Sequence, residues 1–228
     1  MKDKEQKEFE KKLAGEKAAE YVKDGMTIGL GTGSTVYYAI IKIGEMVKGG
    51  LKINAVSSSN STTNLADSLN IPLININETK TIDLNIDGAD EVDIKLNGIK
   101  GGGGALLFEK IVALNSKLNI WIVDSEKLTD KPWSFPLPVE IIPFGYKKTI
   151  ERIHERNLNP VLREKEGKIF LTDSGNYILD ICTEEKTDLK EIDKELKMIT
   201  GVVETGVFTD VADMLIIGQG NSTKILKR

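Results

Sequence analysis

Residues 29–35 read GLGTGST. They follow the apolar run MTIGL (26–30) and lead into TVYYAIIKIGEMVK (35–48), whose apolar positions recur at helical spacing. Strand, glycine turn and helix in that order predict the opening βα unit of a parallel sheet. The same corner is predicted to hold an anion. First-turn amides of a helix have no partner within it, the helix dipole favours negative charge, and glycines let a ligand approach the backbone. Thr32, Ser34 and Thr35 add hydroxyl donors, and Ser34 or Thr35 is placed to cap the helix. Two common phosphate loops do not fit. A Walker loop needs Gly-Lys followed by Ser or Thr, and no lysine follows here. A dinucleotide loop needs G-x-G-x-x-G, but glycines 29 and 31 lead to Ser34, and glycines 31 and 33 lead to Val36. It also wants an acidic residue about 20 positions on, where SSSNS (57–61) follows the second strand instead. The corner suits a lone phosphate better than a dinucleotide; the alternative is an ordinary tight turn.

Working outward, residues 3–24 read as a helix with Phe9, Leu13, Ala14, Ala18, Tyr21 and Val22 on one face and Gly25 closing it. After the glycine corner come strand KINAV (52–56), helix STTNLADSLN (61–70), and strands IPLI (71–74) and TIDLNI (81–86). Helix GALLFEKIVALNS (104–116) and strand LNIWIVD (118–124) follow. The alternation implies a parallel sheet with right-handed crossovers. The rhythm changes at KPWSFPLPVEIIP (131–143), where four of the six prolines fall. Beyond it we read strand PVEII, helix GYKKTIERIHERN, strands PVLRE and KIFLTDSGNYILDIC (the latter turning at DSGN as a hairpin), helix LKEIDKELKMI and strand GVVETGVF. That β-α-β-β-α-β order is ferredoxin-like. VADMLIIGQG (211–220) is one more buried strand, expected to return to the first sheet. The expected fold is α/β: a Rossmann-like parallel sheet flanked by helices (residues 1–132 and 205–228) with an inserted ferredoxin-like α+β domain (133–204).

A chain of 228 residues, 40% hydrophobic, supports one large or two modest cores. A formal net charge of −4 argues against a nucleic-acid surface, and no run approaches the ~20 apolar residues of a membrane span. The opening MKDKEQKEFEKK is charged throughout and lacks the apolar centre of a secretory signal. Cys182 has no second cysteine to pair with, so a cytoplasmic globular protein is expected. In its apolar, β-rich setting Cys182 reads as a core thiol, and His154, the one histidine, reads as structural.

Two further segments carry chemistry. DGADEVD (87–93) puts Asp87, Asp90, Glu91 and Asp93 after a parallel strand, at the end where open sheets bind ligands. Its spacing also suits Mg²⁺ or Ca²⁺, and an ordinary acidic turn is the plainer alternative. KGGGGALLFEK (100–110) sets Lys100 before four glycines, an entropic cost that a plain turn rarely carries. On the helix that follows, Glu109 shares a face with Ala105, Val112 and Ala113. Unless it is an ordinary surface residue, a carboxylate there is paired or functional, and desolvation would lift its pKa toward general-base values.

Together GLGTGST, SSSNSTT, DGADEVD, KGGGGALLFEK, VDSEK ahead of FPLPVEIIP, and GNYILD followed by GVVETGVF resemble the type A ribose-5-phosphate isomerase family over most of the chain. DGADE and KGGGGA in this order are specific, whereas GTGST is shared with a wider phosphosugar and acyl-transfer superfamily. The resemblance implies interconversion of D-ribose 5-phosphate and D-ribulose 5-phosphate, a step of the non-oxidative pentose phosphate pathway, without cofactor or metal. It implies that Glu109 is the general base. Thr32, Gly33, Ser34 and Thr35 would form one wall of the substrate pocket. Asp87, Gly88, Ala89 and Asp90 would form a second, and Lys100, Gly101, Gly102 and Gly103 a third. Lys127 would add a cation, and Lys11 would reach the phosphate. Family members commonly form dimers or tetramers, so a homodimer or homotetramer is expected, with the inserted domain as a contact surface. Phe108 departs from the pattern: arginine is expected before the glutamate, and its loss would remove a positive charge near the site.

One carboxylate can remove a proton from C2 and return it to C1, so this chemistry needs no histidine. Lys100 and the glycine-loop amides are placed to stabilise the enediolate oxygen. Asp87 or Asp90 would handle hydroxyl protons during ring opening, and the phosphate would supply orienting binding energy. Two rivals stand beside this reading. A sugar-phosphate sensor needs a DNA-binding module, and the single helix ahead of MTIGL is expected to be too little for a helix-turn-helix. A sugar-phosphate deaminase or lactonase is expected to use histidine, and His154 lies outside all three loops.

Overall fold

Apolar runs alternating with amphipathic stretches resolve into a six-stranded sheet in the computed structural model, which describes residues 3–130, 133–183 and 188–228. Helix α1 (Lys4–Ala19) precedes β1 (Thr27–Leu30), α2 (Ser34–Lys48), β2 (Asn54–Ser57), α3 (Asn60–Ser68) and β3 (Leu84–Gly88). Two short strands, β4 (Glu91–Asp93) and β5 (Gly98–Ile99), lead to α4 (Leu106–Leu114), β6 (Asn119–Asp124) and β7 (Leu128–Thr129). Then come β8 (Leu137–Ile141), α5 (Tyr146–His154), β9 (Pro160–Leu162), β10 (Glu164–Lys165), β11 (Lys168–Ile169) and β12 (Tyr177–Ile181). The chain finishes with α6 (Leu189–Lys197), β13 (Val202–Thr205), β14 (Val207–Phe208), β15 (Met214–Gln219) and β16 (Ser222–Lys227).

The main sheet has the order β16-β15-β6-β3-β1-β2, parallel except for β16 at its edge. Strands covered on both faces read as continuous apolar runs, and β6 is buried along its whole length. Ala14 and Ala18 of α1 and Val36, Ala39, Ile40 and Ile43 of α2 share one core with Ile28, Leu30, Ile86 and Ile120. Each fully buried Ile or Leu there contributes about 1.5–3 kcal/mol. Val112 of α4 joins Val56 and Ile82 in a smaller cluster. The buried face of α1 differs from the expected one: Phe9 is exposed, while Glu10, Ala14, Gly15, Ala18 and Ala19 are buried. The reason is a close helix crossing, since a Cβ at Gly15 would lie 2.7 Å from the Ala39 amide nitrogen. Glu10 is buried because it has partners, accepting hydrogen bonds from Ser125 Oγ and the Gly220 amide, both at 2.8 Å.

The second sheet, β13-β8-β12-β9, is antiparallel throughout. With α5 and α6 it encloses its own core of Leu137, Val139, Ile153, Leu179, Ile192 and Leu196. This is the anticipated β-α-β-β-α-β order. A third small sheet, β14-β5-β4-β7, packs Val92 and Phe208 against Trp121 and Val123 of the main sheet. VADMLIIGQG does return to the main sheet, as β15 beside β6.

Several elements depart from expectation. IPLI makes a single bridge, Ala55 with Leu73, because Pro72 has no N–H to extend the ladder. KIFLTDSGNYILDIC is not a hairpin turning at DSGN. Its first part pairs back through β10 and β11, and 172–176 is a local turn closed by Thr172 and Asn176. GVVETGVF divides at Gly206, where a Cβ would lie 2.2 Å from the Lys100 carbonyl oxygen; β13 stays in the second sheet and β14 joins the third. DGADEVD is only partly a loop, since its second half is β4. Cys182 is exposed, not a core thiol; it lies just past β12, whose last residue is the buried Ile181. The edge strand β16, antiparallel to β15, lies beyond the elements expected from sequence. The expected domain boundary at residue 132 lies outside the described residues.

Candidate active site

Strands β1, β3 and β6 are parallel neighbours, with Leu30 beside Ile86 and Gly88 beside Ile122. The segments leaving their carboxyl ends therefore meet along one edge, where open α/β sheets bind ligands. The first is the glycine corner. Ser34 is the first residue of α2, so the N-cap is Gly33, at φ +127° and without a side-chain cap bond, rather than Ser34 or Thr35. No hydroxyl of this corner thus occupies the helix's first amides. Gly31 is needed for a different reason: a Cβ there would lie 2.0 Å from Asp87 Oδ1. The bare backbone lets Asp87 accept from the amides of Thr32 (3.2 Å) and Gly88 (2.7 Å). The Thr32 hydroxyl turns the other way, to Ser58 and Ser59 at 3.0 and 2.8 Å.

The third loop delivers Lys100 to the same place. Its ammonium donates to the Gly88 carbonyl (2.7 Å) and lies 3.0 Å from Asp87 Oδ2 and 3.1 Å from Glu109 Oε2. Lys100, Asp87 and Glu109 are 2%, 1% and 4% exposed. Two carboxylates thus share one cation away from water. Glu109 Oε2 has the ion-pair distance but no aligned hydrogen bond, which leaves it the less satisfied of the two. Burial, reinforced by the Asp87 charge and opposed by Lys100, pushes Glu109 up to about 8. Burial also raises Asp87 above the usual carboxylate range, against the pull of Lys100 and the two amides. Burial alone would depress Lys100, but Asp87, Glu109 and Asp90 outweigh it and hold the ammonium above the ordinary lysine value. The group therefore presents a fixed cation beside a carboxyl poised to exchange a proton near neutral pH.

A cleft of about 230 Å³ opens above this group. Thr32, Gly33, Ser34 and Thr35 line one side, Gly88, Ala89 and Asp90 another, and Lys100, Gly101, Gly103 and Glu109 the floor and third side. Lys127 and Lys11 line it as well, Lys11 paired with Glu8 at 2.6 Å and the Lys127 ammonium 5.5 Å from the Phe135 ring centre. Asp87 stands behind Lys100 rather than on the cleft wall, and Gly102 is not on the wall either, its amide donating to Asp90 Oδ2 at 2.7 Å. The other acids of DGADEVD diverge. Glu91 accepts from the amides of Ser134 and Phe135, and Asp93 from Asn97 and Lys95. Among the described residues no three His, Cys, Asp or Glu side chains are arranged to hold a metal ion.

Phe108 does not line the cleft. It faces a separate cavity of about 320 Å³ with Val56, Ile74, Ile76 and Ile111, so its replacing the expected arginine leaves the cleft wall unchanged. His154 is exposed at the end of α5. Lys110, beside Glu109, turns away from the cleft and donates to the carbonyls of Thr205 and Val207, both at 2.7 Å; burial pushes its ammonium down to about 8. Sequence reasoning missed Lys7 and Asp124 on the wall and Arg163 behind the glycine loop. Lys7 was findable, one helical turn before Lys11, and Asp124 ends a parallel strand; nothing local marks Arg163.

Fold and site together define an α/β enzyme with a buried acid–base group at the carboxyl edge of a parallel sheet. Residues 54–222 match the family model for ribose 5-phosphate isomerase A (phosphoriboisomerase A). A ribose-5-phosphate isomerase A of Listeria monocytogenes is 49% identical over 213 residues, covering 93% of this chain and 95% of the relative. Among solved structures, ribose 5-phosphate isomerase from Plasmodium falciparum superposes with a TM-score of 0.92 at 40% identity, covering 96% of this chain and 97% of that one. A D-ribose-5-phosphate isomerase in complex with phospho-erythronic acid gives 0.92 at 39% identity, covering 100% of both chains. The chain belongs to the ribose 5-phosphate isomerase A family.

Proposed function

We propose a mechanism for this chain as a ribose-5-phosphate isomerase in which Glu109 is the proton shuttle. The enzyme interconverts D-ribose 5-phosphate and D-ribulose 5-phosphate, and membership of the family carries that reaction. The observation that carries the residue assignment is the buried Glu109–Lys100 pair on the cleft floor, with Asp87 behind it. The Glu109 carboxylate takes the proton from C2 of the open-chain aldose. The C–H electron pair forms the C1–C2 double bond, and the carbonyl pair moves onto O1. Glu109 then returns its proton to C1 while the O2 proton is passed to O1, so two protons change places with no net oxidation. Lys100 and the glycine-loop amides face the developing negative oxygen, and such fixed charge in a dry site is a large catalytic contribution. For hydroxyl protons during ring opening, Asp90 is favoured over Asp87, because only Asp90 reaches the cleft. The first-turn amides of α2, with Lys11 and Lys127, suit the phosphate.

Ketose formation from ribose 5-phosphate by the unaltered chain and by Glu109→Gln tests both levels. The unaltered chain turns over and incorporates solvent deuterium at the exchanged carbon. The variant loses about 10²–10⁴ in kcat, the usual cost of removing a general base. A variant within about tenfold of the unaltered rate would move the base to Asp90.

We further read two structural units, residues 1–132 with 205–228 and residues 133–204, supported by their separate hydrophobic cores. A cytoplasmic homodimer or homotetramer is the assembly we favour. Phe144 and Met198 on the second unit are 89% and 78% exposed, which suits a subunit contact. Sedimentation equilibrium of the chain and of Phe144→Ser checks the assembly. Among the described residues no helix is long and apolar enough to cross a membrane.

A further inference from the structure

We infer that Arg163, clamped by Asp180, is a positioning residue that sets the peptide orientation of the glycine loop for catalysis; this rests on the isomerase reading above. Arg163 follows β9 and belongs to the second sheet, yet its guanidinium reaches the loop of the first. Nη1 donates to the carbonyls of Gly101 (2.9 Å) and Gly102 (3.1 Å). Nε donates to Asp180 Oδ2 at 2.8 Å, and Nη2 donates to Asp180 Oδ1. This two-point pairing fixes the plane of the guanidinium and therefore the direction of its remaining donors.

The loop needs such an external hold. Residues 101–104 have no side chains, and glycine has the greatest backbone freedom to lose. Gly101 and Gly104 sit at φ +102° and +82°, and the Phe170 ring closes on Gly104, where a Cβ would be 2.4 Å away. Gly102 N–H is committed to Asp90. In a planar trans peptide the N–H points opposite to the carbonyl. Drawing the Gly102 carbonyl to Arg163 therefore turns the Gly103 N–H the other way, and Gly103 lines the cleft beside Lys100 and Glu109. If that peptide flipped, a carbonyl oxygen would replace an amide donor on the wall that faces the developing oxyanion. Arg163 does not line the cleft itself; it acts through the loop.

The test uses the full chain with Arg163→Gln and Asp180→Asn. It measures thermal unfolding, kcat and KM for ribose 5-phosphate, and affinities for two probes. Phospho-erythronic acid carries a carboxylate at the end that mimics the enediolate; inorganic phosphate carries only the distal group. Arg163→Gln is expected to lower kcat about ten- to a hundredfold, to weaken phospho-erythronic acid by a similar factor, and to leave KM and phosphate affinity within about threefold. Asp180→Asn shifts the same quantities in the same direction by less. A folded Arg163→Gln with kcat within about twofold of the unaltered chain overturns the inference. So does equal weakening of both probes, which would mean general collapse of the cleft. If Arg163→Gln does not fold, Asp180→Asn decides by the same criteria. Absence of turnover in the unaltered chain would defeat the isomerase reading alone, and the two-probe comparison would still decide the role of Arg163.

Discussion

Glu109 is held where its charge is expensive and its proton useful. Because its pKa is pushed up to about 8, the base form is a minority below that pH. We expect kcat/KM to rise with pH and level off above about 8, and a pH–rate profile checks this. The same displacement has a stability consequence of known sign. Folding favours the protonated acid, so between the ordinary glutamate value and about 8 the folded state binds more protons and stability falls as pH rises. Glu109→Gln removes that fall and is expected to be the more stable protein at pH 9, by about 1 kcal/mol or more, since each tenfold change in proton affinity on folding is worth about 1.4 kcal/mol. Denaturant melts at pH 6 and 9 measure it. Lys100 is the complementary case. Lys100→Met leaves two buried carboxylates without their cation, a loss of about 3–5 kcal/mol, and is expected to lower kcat about 10²-fold or more. A variant with unchanged melting and kcat would remove Lys100 from the group.

Among the elements, the turn from β1 to α2 carries two glycines with different duties. Gly31 makes room for Asp87, so Gly31→Ala drives a Cβ into that carboxylate and is expected to lower both thermal stability and kcat. At Gly33 a Cβ meets nothing within 4 Å, but the backbone is at φ +127°. Gly33→Val is expected to cost about 1–3 kcal/mol of backbone strain and to raise KM about tenfold or more, by crowding the phosphate-binding amides. Steady-state kinetics on both variants separates the two duties; identical changes in KM and kcat would refute the division. The parallel neighbours β1, β3 and β6 explain why loops distant in sequence converge, since each strand ends at the same edge.

For the molecule as a whole, the four acids of residues 87–93 each take different partners, which predicts activity that survives exhaustive chelation. A large loss restored by Mg²⁺ would overturn it. The cleft spans from the Glu109 floor to the α2 N-terminus, so remote phosphate binding should orient the reacting carbons. Ribose without its phosphate is expected to be a very poor substrate; comparable kcat/KM for the two would defeat the phosphate assignment.

The local pattern was enough to read the strand–glycine–helix corner, the carboxylate on the small apolar face of α4, and the β-α-β-β-α-β order of the second unit. Those features depend on spacing within one element, which side-chain period and turn chemistry report directly. Which element lies opposite is decided elsewhere. From sequence Asp87 reads as a pocket wall, but it stands behind Lys100, because β3 lies next to β1 and sets it against Gly31. Gly33 rather than Ser34 is the cap, Glu10 rather than Phe9 is buried because Ser125 and Gly220 donate to it, and Cys182 lies exposed just past the end of β12. Arg163 gained its place only when the second sheet docked on the glycine loop. A residue's own helix or strand sets the face it occupies; sheet order and register set its neighbours, and at this site the neighbours set the charge and the chemistry.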